Sequence, residues 1–79
     1  MSNLETLCLR SLKAYKHACS VSYKSGTLSQ DVYRTWHTMR QAWAALPLEI
    51  TSGYYGFHDF LACHDATPLV EIISEFRHG

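Results

Sequence analysis

The apolar positions Val32, Trp36, Met39, Trp43 and Leu46 follow one another in steps of four, three, four and three. That spacing sets five apolar side chains, two of them tryptophan, on one seam of a helix. A seam so large has to be covered, either by the rest of the chain or by a second copy, and its heptad-like spacing suits a homodimer as well as a core. Ser29 stands where an N-cap is needed, Asp31 falls in the first turn, and Pro47 stops the run. The pattern predicts a helix over about 29–46.

A second helix is predicted over about 3–24. Leu4, Cys8, Leu12, Tyr15, Cys19 and Tyr23 form its apolar face, widened by Leu7, Ala14, Ala18 and Val21. Arg10, Lys13, His17 and Lys24 fall on the other side. Ser2 or Asn3 caps the start, Glu5 complements the helix dipole, and Ser25-Gly26 supplies the left-handed residue at which helices end. The connection between the two helices is so short that they must run antiparallel, as a helical hairpin.

Leu48 to Ser52 reads as a linker or brief extended stretch. A short, irregular helix is predicted over about 54–64, interrupted in character by Gly53 and Gly56. The last helix, about 67–77, opens with Thr67 as N-cap and Pro68 at its first position. Its apolar face is Leu69, Ile72, Ile73 and Phe76, with Glu71 and Glu75 outward. The expected fold is all-α: one domain over residues 1–79, an antiparallel hairpin of two long helices plus two shorter C-terminal helices, forming a dimer. Dimerisation is expected because a chain of 79 residues buries only roughly 60–65% of its unfolded surface and needs further support.

Composition narrows the class. Hydrophobic residues make up 47% of the chain and charged ones 18%, which excludes a disordered polymer. The longest uncharged stretch is too short to span a bilayer, and the N-terminus has no basic segment followed by an apolar run. A cytoplasmic location is the expectation. The three cysteines agree with a reducing compartment, since an odd count closes no disulfide framework. Cys8 and Cys19 lie about 16 Å apart along one helix, beyond bridging range, and are expected to be small buried hydrophobes.

Net charge is zero, but the halves differ. Residues 1–40 carry six Lys and Arg against Glu5 and Asp31, a balance of +4. Residues 41–79 carry Arg77 against five carboxylates, a balance of −4. Such asymmetry holds two halves together, pairs two chains, or presents a basic face to an acidic partner.

Metal and catalytic chemistry find little support. His58, Asp59, Cys63, His64 and Asp65 are ligand types for zinc, but on a helix His58 and Cys63 diverge by about 140° and Cys63 and His64 by about 100°. The same divergence keeps Cys63 and His64 from forming a nucleophile–base pair. Cys63 is expected to be buried, with the histidines at the surface. No catalytic, cofactor or metal signature emerges, and the chain reads as a non-enzymatic protein.

Two binding readings follow. Tyr54, Tyr55, Phe57 and Phe60 place four rings in seven residues, too many to point inward from one short helix. Tyrosine gives contact area at little entropic cost, which is why interfaces favour it. Tyr54, Tyr55, Phe57 and His58 are therefore the candidate anchors for a larger protein, with Arg34 and Arg40 steering an acidic partner. The alternative is a small DNA-binding regulator using Arg10, Lys13, Lys16 and Lys24 with Arg34, His37, Thr38 and Gln41. A pI near 6.9 and the absence of helix-turn-helix spacing weigh against it. In general character the chain is similar to bacterial and phage accessory proteins that bind and inhibit a larger protein, a likeness of type that no motif carries. The expected function is a regulator or inhibitor of that kind.

The seam generates a first prediction. Trp36→Ala should cost about 3–5 kcal/mol, enough to unfold so small a chain, and a thermal melt followed by circular dichroism measures it. An unchanged melting temperature would refute the seam.

Overall fold

A computed structural model describes residues 3–78. It is all-helical over those residues: α1 spans Asn3–Ser25, α2 Gln30–Ala45, α3 Leu48–Thr51, α4 Phe57–Cys63 and α5 Leu69–His78. The two long helices pack against each other as the predicted antiparallel hairpin. Asn3 is already helical, and Ser2 lies outside the described residues.

The hairpin turn is held by three small contacts. Gly26 adopts the left-handed conformation at φ 75°, and its N–H donates to the Ser22 carbonyl at 2.9 Å. The buried Ser22 Oγ accepts from the Ser29 N–H at 3.0 Å. Ser29 caps α2 as expected, its Oγ accepting from the Asp31 N–H at 3.1 Å.

The buried face of α1 is narrower than its pattern suggested. Cys8, Ser11, Leu12, Tyr15, Ala18, Cys19 and Ser22 are buried. Leu4, Leu7, Val21 and Tyr23, expected on the apolar face, are 38–49% exposed, and Ala14 is exposed too. One neighbouring helix covers an arc of little more than a third of a helix circumference, so the widening residues are left outside it. Cys8 and Cys19 are buried as expected, and burial raises both thiol pKa values.

The tryptophan seam is covered from within the chain. Val32 and Met39 are fully buried against α1. Trp36 packs between Tyr15 and Phe57, each ring centroid 5.3 Å away, and Trp43 meets Phe60 at 4.8 Å and Tyr54 at 5.6 Å. Val32, Trp36, Met39, Trp43 and Leu46 thus belong to the core of a single chain.

Four local expectations are corrected. Leu48–Thr51 is one turn of helix rather than a linker, because the Pro47 that ends α2 offers its carbonyl to the Ile50 and Thr51 N–H groups. The helix expected from 54 begins at Phe57: Tyr54 and Tyr55 form the approach, Gly56 is the extended residue before it, and the Asp59 carboxylate accepts from the Tyr55 N–H at 3.2 Å. Cys63 is exposed rather than buried, since it lies about 200° around α4 from the fully buried Leu61. The last helix starts one residue after Pro68, whose carbonyl accepts from Glu71 and Ile72.

Two tyrosines tie α1 to the C-terminal segment. The buried Tyr15 hydroxyl donates to the Thr67 carbonyl, and Tyr23 stacks on Phe76 at 5.4 Å while donating to the Glu75 carboxylate. Loss of solvation raises the Tyr15 pKa well above the ordinary tyrosine value. Desolvation, then the bond to Glu75, pushes Tyr23 up to about 12.

Tyr15→Phe should cost about 1–3 kcal/mol, because the Thr67 carbonyl loses its buried donor, and a urea midpoint measures the change. Alkali gives a second check. Both hydroxyls hold their protons more tightly folded than unfolded, so the stability they contribute is complete below pH 10. It should decline as pH rises from about 10 towards 12. A denaturation midpoint that stays flat across that interval would contradict the two tethers.

Candidate protein-docking groove

α2, α4 and α5 enclose a groove of about 400 Å³ on the covered side of the hairpin. Trp36 and Arg40, one helical turn apart on α2, form one wall. Phe57 and His58, the first two residues of α4, form the floor and one end. Pro68, Leu69, Val70 and Ile73 form the other wall. Each wall follows from local sequence: steps of four place Trp36 with Arg40 and Leu69 with Ile73 on one face of their helices.

The groove is apolar with a basic rim. The Arg40 guanidinium carbon sits 4.5 Å from the centroid of the Phe57 ring, a cation–π contact that fixes its position while its side chain stays at the surface. His58 is exposed beside it, and among the described residues no carboxylate lines the groove. Val70, 69% exposed, is the most accessible apolar side chain of the walls.

The candidate anchors are separated by the fold. Arg40, Phe57 and His58 meet at the groove. Phe57, however, is only 6% exposed and packs on Trp36 and Trp43, so it is core that floors the groove and not a free anchor. Tyr54 is half-buried against Trp43 and Phe60. Tyr55 is fully exposed on the approach to α4. Arg34 stands away from the groove, paired with Asp31 at 3.5 Å on the surface of α2. The contribution of α5 was missed from sequence. Val70 lies about 100° from Leu69 and so falls off the apolar face of its own helix, a faint signal of an exposed apolar position.

A second depression, of about 440 Å³, runs along α1 and is lined by Thr6, Leu9, Arg10, Leu12, Lys13, Lys16 and His64. Lys16 donates to the His64 carbonyl at 2.8 Å. Among the described residues, Arg10 and Lys13 form no ion pair. The histidine, cysteine and aspartate run at α4 is dispersed: His64 packs on Phe60 in a tilted contact at 4.9 Å, and Cys63 is exposed. Among the described residues no three His, Cys, Asp or Glu side chains gather as metal ligands. No described helix is long and apolar enough to cross a membrane.

No protein-family model matches the chain, and neither the curated proteins nor the solved structures include a significant match to it.

Proposed function

We propose that this chain is a small, non-enzymatic protein-binding module. Its groove between α2, α4 and α5 takes an apolar segment bearing a carboxylate from a larger cytoplasmic protein. The observation that carries the reading is the pairing of an apolar floor with two basic side chains and no acidic one: Arg40 over Phe57, with His58 beside it. An apolar side chain of the partner fills the space between Trp36, Leu69 and Val70, and its carboxylate meets Arg40 at the rim. Buried contact of this kind supplies affinity, while the rim charge sets orientation and the rate of encounter. Tyr55, exposed over its whole ring, adds contact area beyond the groove. Occupying a surface of a larger protein makes the chain a regulator or inhibitor of that protein.

A second reading, a DNA-binding regulator, draws on the α1 depression lined by Arg10, Lys13 and Lys16. Its affinity would come from phosphate contacts and fall steeply with salt.

Affinity capture of the tagged chain from native lysate separates the two. The expected result is a protein retained after nuclease treatment and in moderate salt. It should be lost, by about tenfold or more in affinity, with Val70→Glu or Arg40→Glu, each equivalent to about 1.4 kcal/mol or more. Both positions are exposed, so helicity should not change. Retention of the same protein by both variants would remove the groove from the interaction. Material released by nuclease would transfer the function to the α1 face.

A further inference from the structure

The hollow along α1 is separate from the docking groove and shares no lining residue with it. Its volume of about 440 Å³ falls within the roughly 300–1,000 Å³ of small-molecule sites, and it is the more enclosed of the two. Along α1 the lining runs from Thr6 to Lys16, about 15 Å of helix axis. So extended a lining suits a chain better than a compact ring system.

Two dipeptides set the character of this hollow. Leu9-Arg10 and Leu12-Lys13 each put a cation directly after a leucine, and consecutive residues of a helix diverge by about 100°. Leu12 is buried and Leu9 packs against the core, so the leucines form the floor. Arg10 and Lys13 are exposed and stand at the outer edge, where their methylene stems continue the apolar surface up to the charged heads. Lys16 marks one end, its Nζ donating to the His64 carbonyl at 2.8 Å. Among the described residues no carboxylate lines the hollow, and Arg10 and Lys13 form no ion pair. An apolar floor beneath two such cations is complementary to an apolar chain that ends in an anion.

We propose that this hollow binds a free medium-chain fatty acid. The chain lies along Leu9 and Leu12, and the carboxylate accepts from the Arg10 guanidinium and the Lys13 ammonium at the rim. Burial of the methylenes supplies the affinity, and the cations select the head group. Nucleic acid matches the rim and not the floor, because phosphates bury no leucine. A flat bilayer surface does not enter a hollow. Fatty-acid binding here is independent of the docking groove, so either site can fail without the other.

Isothermal titration calorimetry with laurate, below its micelle-forming concentration, tests the site. One laurate should bind per chain. Dodecyltrimethylammonium, which has the same chain and a cationic head, should bind more weakly by about tenfold or more. Arg10→Glu combined with Lys13→Glu should lower laurate affinity by a similar factor. Arg34→Glu makes the same kind of charge change away from the hollow and should leave affinity unaltered. All three side chains are exposed, so helicity should be retained. In the wild-type chain, laurate should move the methyl resonances of Leu9 and Leu12. Absence of laurate binding, equal affinity for the two head groups, unchanged affinity in the double variant, or an equal loss with Arg34→Glu would each overturn the proposal. Methyl shifts confined to Leu69, Val70 and Ile73 would do the same by placing laurate in the docking groove. So would duplex DNA or anionic vesicles held through Arg10 and Lys13 by a chain that takes up no laurate.

Discussion

Packing of Phe57 and Phe60 against Trp36 and Trp43 is the contact on which the rest of the structure depends. The hairpin alone would leave two tryptophans in water along one edge, and α4 covers them with its first turn. Each aromatic pair adds about 0.5–1.5 kcal/mol beyond the area it buries. That is a large share of the few kcal/mol of net stability available to a chain of this size. α4 starts after Gly56, with the Asp59 carboxylate accepting from the Tyr55 N–H, and its first turn carries both phenylalanines.

The groove is a by-product of that arrangement. With Phe57 packed against Trp36, Arg40 one turn along α2 comes to rest over the face of the same ring. α5 cannot reach the centre of the tryptophan seam, which α4 already occupies, and lies alongside it, held to α1 by Tyr15 at Thr67 and Tyr23 at Glu75. The space left between α5 and the seam is the groove. Packing one turn of helix onto two large rings thus decides where the groove lies, and Phe57 serves both as core and as the floor of that groove. The opposite side of the hairpin takes no part in this packing, which is why Leu7 and Val21 remain at the surface.

The hairpin was legible in the sequence because its signals are local. Ser29 caps α2, Gly26 takes the left-handed turn, and Pro47 stops the helix through its own backbone chemistry, whatever packs nearby. The short elements were less legible. A single turn such as Leu48–Thr51 has too few residues to show a period, and the start of α4 depended on Gly56 rather than on the aromatic run. Cys63 was misplaced because cysteine is so often buried, whereas its position, about 200° around α4 from the buried Leu61, faces solvent.

By itself the sequence determined the two long helices, their antiparallel order and the burial of Cys8, Cys19, Val32 and Met39, since periodicity, capping and loop length act over a few residues. Only the tertiary structure decided what covers the tryptophan seam. It also separated Tyr55 and Arg34 from the groove, brought Val70 to its edge, and left Leu7, Ala14 and Val21 facing solvent. Those outcomes turn on which apolar surface is nearest in space when several compete for the same rings, and spacing along one helix does not record the position of another.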